Sequence, residues 1–342
     1  MKAYDGLRIP YATALHDEKE EERVLNVLRQ HRTIMGKETA EFENRVAKLF
    51  GKKYGVLVNS GSSANILAID LLGLPDHTEV ITPILTFSTT IAPLVRKKLT
   101  PVFLDVEEGT YVINSDDVER NITKKTKAIF VPLLLGNVPQ MDKLKTIAKK
   151  NNLLFIEDSC DTLGASYKNK PTGTYSDIST TSFYGSHIIT AGGGGGMILV
   201  NNKKWHNALK MLRGWGRSSS LFSESEDLKK RFSKRLHGIS YDAKFIFDTV
   251  GYNFLYPEIG AAFGNTQLDK LSLFKKTREN NFKLLLFFFK KYEDIFILPR
   301  QSDLVKTQWL AFPLTIRKDV PFSRKKIVTY LEQNNIQTKP IS

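Results

Sequence analysis

The chain has 342 residues, 41% hydrophobic and 25% charged, with a net charge of +14. No apolar run reaches the roughly 18 residues of a membrane span, and the N-terminus lacks the apolar core of a signal peptide, so no transmembrane helix and a cytoplasmic location are expected. The lysines are scattered with no basic run interleaved with aromatics, which reads as a solvated surface rather than a nucleic-acid site, and the single cysteine, Cys160, excludes an intrachain disulfide and an all-cysteine metal cage.

Two amphipathic helices are expected first, over Glu18–Gln30 and Glu38–Phe50, the second with Phe42, Val46, Leu49 and Phe50 on one face. Val56-Leu57-Val58 reads as a buried strand that runs through Asn59–Ser63 into an apolar helix, Ala64–Leu72. Strands follow at Glu79–Pro83, Pro101–Val106, Ala128–Leu135 and Leu153–Asp158, with a helix at Met141–Lys150 before the last. Ile178–Tyr184 and Met197–Asn201 complete the strand set. Strands alternating with helices predict an α/β fold with a mostly parallel sheet covered on both faces. Beyond it, Phe274–Tyr292 reads as a helix, Ile295–Ile316 as strands and Ser323–Asn334 as a helix, which suits a smaller α+β domain. The expected division is an arm at 1–17, a large α/β domain at 18–270 and a small domain at 271–342.

Four segments carry candidate chemistry. Ser60-Gly61-Ser62-Ser63-Ala64-Asn65 lies between a strand and a helix, where unpaired N–H groups and the helix dipole favour phosphate. By itself it reads more readily as an ordinary N-cap turn. Phe155–Asp161 puts Asp158 at a strand's carboxyl end, where open α/β sheets bind ligands and a carboxylate can keep a pyridine nitrogen protonated. By itself Asp158 reads more readily as a turn cap. Ser182-Phe183-Tyr184-Gly185-Ser186-His187-Ile188-Ile189-Thr190 precedes Ala191 and five glycines, Gly192–Gly196, a density that suits close approach of the chain to a ligand or a loose hairpin. Gly251-Tyr252-Asn253-Phe254 precedes an apolar helix with Ala261, Ala262, Gln267 and Leu268.

In this order and spacing the segments resemble the DegT/DnrJ/StrS sugar aminotransferases, which have the fold of type I pyridoxal-phosphate enzymes. The resemblance runs from about Ile9 to the C-terminus and is strongest over Val58–Gln267. It implies that Gly61, Ser62 and Ser182 bind the cofactor phosphate, that Phe87 stacks on the pyridine ring, and that Asp158 pairs with the ring nitrogen. It implies that Asn253 reaches the phosphate of a second subunit, hence a homodimer. Family members continue past the motif matched by Gln337–Ile341, so a shortened small domain is expected.

One departure decides the chemistry implied. Family aminotransferases carry a lysine three residues after the tyrosine of Ser-Phe-Tyr, and it holds the cofactor covalently. Here that residue is His187, which has no primary amine but can move protons. This resembles the family's branch of 3-dehydratases acting on 4-keto-6-deoxy sugar nucleotides. Those enzymes use free pyridoxamine phosphate and carry a Cys-Asp pair where Cys160-Asp161 stands. The resemblance implies that His187 removes a proton from the cofactor's methylene carbon and then acts as acid for the departing C3 hydroxyl. A CDP-linked type in this branch holds an iron–sulfur cluster on four cysteines, which one cysteine cannot do. The cluster-free, glutamate-dependent type is therefore the expectation, on a GDP- or CDP-linked sugar, for deoxysugar or O-antigen biosynthesis. No metal is expected. A sugar aminotransferase and a non-catalytic pyridoxal-phosphate-binding regulator are the alternatives.

Overall fold

The computed structural model describes residues 7–222 and 227–341. Its helices, in chain order, are α1 (Glu18–Arg29), α2 (Lys37–Leu49), α3 (Gly61–Leu72), α4 (Ser88–Arg96), α5 (Ser115–Arg120), α6 (Met141–Lys150), α7 (Lys203–Arg213), α8 (Leu228–Arg231), α9 (Glu258–Asp269), α10 (Leu271–Phe289) and α11 (Arg324–Gln333). The strands are β1 (Tyr54–Val58), β2 (Glu79–Pro83), β3 (Thr100–Leu104), β4 (Thr126–Pro132), β5 (Leu154–Asp158), β6 (Ser166–Tyr167), β7 (Lys170–Pro171), β8 (Ile178–Ser182) and β9 (Gly196–Val200). They continue with β10 (Lys234–Leu236), β11 (Ile239–Tyr241), β12 (Phe296–Ile297), β13 (Val305–Lys306) and β14 (Thr315–Ile316).

Among the described residues the main sheet has seven strands in the order β1-β9-β8-β5-β4-β2-β3. Only β9 runs against its neighbours; it pairs antiparallel with β1 and β8. The carboxyl ends of the six other strands therefore share one edge. Both faces are apolar, as a buried parallel sheet requires. Ile129, Val131 and Phe155 point to the side covered by Met141, Leu144 and Ile147 of α6. Phe130 and Ile156 point to the other side, against Leu67 and Ala68 of α3. On the α2 side, Phe42, Val46 and Phe50 pack on Leu57, Leu199 and Ala261. Phe42 is fully buried, so its truncation to alanine would cost roughly 3–5 kcal/mol.

Three expectations change in detail. The strand expected through Leu135 stops at Pro132, because Leu135 turns to φ +57° and its N–H donates to the Asp161 carboxylate. The strand expected through Tyr184 stops at Ser182, where Phe183 N–H donates to Gly195 O at 2.9 Å. The strand region expected over 295–316 reduces to the three two-residue strands β12, β13 and β14. Pro299 and Pro313 interrupt it, since proline cannot donate to a ladder. No helix among the described residues is long and apolar enough to cross a membrane.

Candidate functional site

The shared carboxyl edge brings most of the candidate residues together. The turn from β1 to α3 supplies Gly61 and Ser62. Phe87 follows β2, Asp158 ends β5 and Ser182 ends β8.

At the start of α3, Ser60 Oγ accepts from Ser63 N–H at 3.1 Å, and Ala64 N–H donates to Ser60 O at 3.1 Å. Gly61 follows the bridge between Ser60 and Gly195, and the Ser62 N–H has no partner among the described residues, aimed as a helix N-terminus aims it. A Cβ on Gly61 would come within 2.6 Å of Ser182 Cβ and 2.8 Å of Cys160 Sγ. Only glycine leaves this space open. The glycine run is packed rather than loose. Gly195, at φ +95°, donates its N–H to Asn59 O at 3.0 Å, and Tyr256 Oη donates to Ala191 O at 2.7 Å.

Asp158 is buried and held from three sides. Its Oδ2 accepts from Asn65 Nδ2 at 2.8 Å and Thr90 Oγ1 at 2.9 Å, and its Oδ1 accepts from Cys160 N–H at 3.1 Å. Thr180 Oγ1 donates to Asn65 Oδ1 at 2.6 Å, which fixes the asparagine so that its amide hydrogens face the carboxylate. Three donors satisfy most of a carboxylate's acceptor capacity and fix its orientation. Asn65 closes the Ser60–Asn65 segment singled out in the sequence and Thr90 lies three residues after Phe87, but nothing local marked them as partners of Asp158. Phe87 is the residue before α4 and is 57% exposed on the same edge.

His187 lies one turn past Ser182, with its N–H donating to Tyr184 O at 2.9 Å. Its Nδ1 is buried without a hydrogen-bond partner, and its Nε2 lies 3.9 Å from Asp161 Oδ1. Burial pushes the imidazole pKa down, opposed by the Ser182 main chain and the Asp158 charge. The neutral, proton-accepting ring is thus favoured near pH 7. Burial pushes Asp161 up to about 6, against the N–H that Leu135 donates to it and with help from the Asp158 charge. The Cys160 thiol is raised by burial and by Asp158, which makes it a poor thiolate.

Asn253 is the candidate that stands apart. It is exposed, bridges to Gly214 and makes no side-chain hydrogen bond among the described residues. No group of three or more His, Cys, Asp or Glu side chains among the described residues is placed to hold a metal ion.

A sequence profile of the DegT/DnrJ/EryC1/StrS aminotransferase family matches residues 15–341. The chain belongs to that family. Within the family it is 35% identical to the dTDP-4-dehydro-2,6-dideoxy-D-glucose 3-dehydratase of Saccharopolyspora spinosa, over 95% of this chain and 72% of the relative. It is 31% identical to the GDP-4-keto-6-deoxy-D-mannose 3-dehydratase of Escherichia coli O55:H7, over 98% of this chain and 86% of the relative. The solved E. coli GDP-4-keto-6-deoxy-D-mannose-3-dehydratase, with bound hydrated PLP, superposes with a TM-score of 0.88 at 30% identity. That superposition covers 97% of this chain and 85% of the other. The fold is therefore the type I aminotransferase fold.

The residues present fit the family's cofactor. The space that Gly61 keeps open and the Ser62 N–H at the start of α3 suit a phosphate, Asp158 is a fixed carboxylate for a pyridine nitrogen, and the exposed Phe87 ring offers a stacking face. The buried, unpartnered Nδ1 of His187 is a polar atom still lacking a partner.

Proposed function

We propose that this chain catalyses pyridoxamine-phosphate-dependent 3-dehydration of a 4-keto-6-deoxy sugar nucleotide. The observation that carries the reading is His187 at the covalent-lysine position within an otherwise complete cofactor frame. The dehydratase relatives act on dTDP- and GDP-linked sugars, which supports the shared chemistry at C3 and C4. When bound, pyridoxamine phosphate supplies an amine for the C4 ketone and a ring that takes up electrons.

The chain's own residues do the rest. Gly61, Ser62 and Ser182 hold the phosphate. Asp158 keeps a proton on the ring nitrogen, aided by Asn65 and Thr90. Phe87 fixes the ring plane. His187, neutral by burial, accepts a proton and then returns it to the C3 hydroxyl as that group leaves as water. A group of this kind contributes on the order of 10²–10⁴ in rate. Asn253 completes the phosphate site of a second subunit in a homodimer. Exposed Phe245, Phe247 and Val250 in the same segment support such pairing. Glutamate is the amino donor in this reading, supported by a solved relative holding a trapped PLP–glutamate species. The reading includes the division into an arm at 1–17, a cofactor domain at 18–270 and a small domain at 271–342. It also includes a cytoplasmic location and a role in deoxysugar or surface-polysaccharide biosynthesis.

The test is incubation with pyridoxamine phosphate and a panel of GDP-, CDP- and dTDP-linked 4-keto-6-deoxy sugars, followed by mass analysis. Loss of the C3 oxygen with release of ammonia is expected. A product that keeps the C3 oxygen and gains an amine at C4 would make the chain an aminotransferase.

A further inference from the structure

Both ends of the described chain meet close to His187. Ile9 N–H donates to Asn335 O at 2.8 Å, and Gln337 N–H donates to Ile9 O at 3.0 Å. Tyr11 N–H donates to Gln337 Oε1 at 2.8 Å. This clip seats Lys339 Nζ 4.5 Å from the centre of the Tyr11 ring, a cation–π distance.

Arg278 of α10 reaches the same place from the small-domain side. Its Nη1 donates to Leu310 O at 3.0 Å and Trp309 O at 3.4 Å. Leu310 N–H donates to Leu135 O at 2.8 Å, and Leu135 N–H donates to Asp161 Oδ2 at 2.9 Å. A continuous run of hydrogen bonds thus ties Arg278 to Asp161. The charges of Arg278 and Lys339 both act on the His187 ring, and those of Asp161 and Arg278 both act on the Tyr11 phenol. These groups lie within electrostatic reach of one another, with His187 Nε2 3.9 Å from Asp161 Oδ1.

Neither Arg278 nor Lys339 has a carboxylate within ion-pair distance among the described residues. The nearby carboxylates are engaged elsewhere: Asp158 accepts from three donors, and Asp161 accepts the Leu135 N–H. Two cations left without acidic partners beside a neutral histidine suit an anionic ligand.

We infer that Arg278, Lys339 and Tyr11 form the subsite for the α-carboxylate of the amino donor. The inference rests on the proposed function and assigns residues to its second substrate. Position separates the two anions that reading involves. The α-carboxylate of an amino acid is bonded to the carbon that gives up its proton, so it must lie close to His187, which moves that proton. The diphosphate of a sugar nucleotide is separated from the reacting C3 and C4 by further ring atoms. In the exchange, the C–N bond of glutamate breaks and a C–N bond to the cofactor's aldehyde carbon forms. The aldehyde oxygen leaves as water, and water supplies the oxygen of 2-oxoglutarate. Glutamate is oxidised by the two electrons that reduce the cofactor.

Lys339 is exposed and serves as the test position, whereas Arg278 also anchors the 309–310 strap. Holoenzyme carrying pyridoxal phosphate is titrated with L-glutamate, and its conversion is followed by cofactor absorbance. Losing a charge-assisted contact of about 1.5–3 kcal/mol corresponds to a rise of about 10- to 100-fold in the glutamate concentration for half-maximal conversion. That is the expected effect of Lys339→Gln, with Lys339→Arg returning to within about threefold. Preference for glutamate over 4-aminobutyrate, which lacks the α-carboxylate, collapses in Lys339→Gln. A binding readout without turnover is calorimetry with α-methylglutamate, which has no α-proton, and its affinity falls in parallel. An unchanged glutamate dependence in Lys339→Gln overturns the subsite, as does a defect confined to sugar-nucleotide binding, which would assign the cations to the diphosphate. If wild type dehydrates its sugar nucleotide while the variant result is negative, the site reading stands and only the subsite falls. A wild type that takes no amine from glutamate overturns the subsite; if it also fails to dehydrate, the reading beneath it falls as well.

Discussion

His187 Nε2 and Asp161 Oδ1 lie 3.9 Å apart, close enough for charge to couple them and too far for a hydrogen bond. The carboxyl of Asp161 is raised to about 6, chiefly by burial. The folded protein therefore binds that proton more tightly than the unfolded chain does. Protonation stabilises the fold fully below about pH 4, and the contribution is lost as pH rises through about 6. Asp161→Asn mimics the protonated form at every pH. Wild type should therefore lose stability relative to this variant between pH 4 and 7, by on the order of 2 kcal/mol. Thermal melts of both cofactor-free proteins across that range test this. A constant gap would mean that Asp161 titrates normally.

Asp158→Asn keeps the shape and removes the charge. Asn65 Nδ2, Thr90 Oγ1 and Cys160 N–H all donate to the carboxylate, and an amide NH₂ cannot accept from any of them. The variant should fold with a loss of about 1–3 kcal/mol. Cofactor affinity should fall modestly and turnover severely. Turnover close to wild type, measured at saturating cofactor, would reduce Asp158 to a turn cap.

The parts of this fold legible in the sequence are those with local signals. Glu79–Pro83 and Met141–Lys150 have the expected bounds because their apolar patterns are complete within each element. Gly61, Asp158 and Ser182 fall together because each ends, or follows, a strand of one parallel set. The contacts that were not legible join distant positions. Asn65 and Thr90 meet Asp158 across 93 and 68 residues. Helix α4 carries an internal proline, Pro93, which masks its helical pattern. Tyr11 and Lys339 lie at opposite ends of the chain, and only the clip between Ile9 and Ile336 brings them to the site.

Asn253→Ala should weaken cofactor binding, with a defect that mixed dimers repair. The motivation is that Asn253 is exposed and bonded to nothing through its side chain among the described residues. Coexpression with His187→Ala separates the two lesions into different composite sites. Heterodimers should then retain one intact site and regain a substantial part of wild-type turnover. Verified heterodimers without activity would show that each site is built from one chain.

His187→Lys tests the residue on which the chemistry turns. Wild type holds no lysine at this position, so borohydride treatment of its pyridoxal-phosphate form should leave every lysine peptide unmodified. The variant introduces a primary amine beside the Gly61–Ser182 cradle, and its pocket is already desolvated enough to push the native imidazole pKa down. Burial of the same kind lowers an amine's pKa and leaves more of it neutral and nucleophilic. Borohydride should then fix the cofactor on the peptide containing position 187, and the absorption band should shift. Loss of 3-dehydration is expected at the same time, because the imidazole that delivers a proton to the C3 hydroxyl is gone. Some C4 amino sugar should form when glutamate is supplied, since both reactions begin from the same C4 adduct and differ in where the next proton goes. Dehydration at the wild-type rate in this variant would remove His187 from the acid–base role, and with it the main support for a dehydratase.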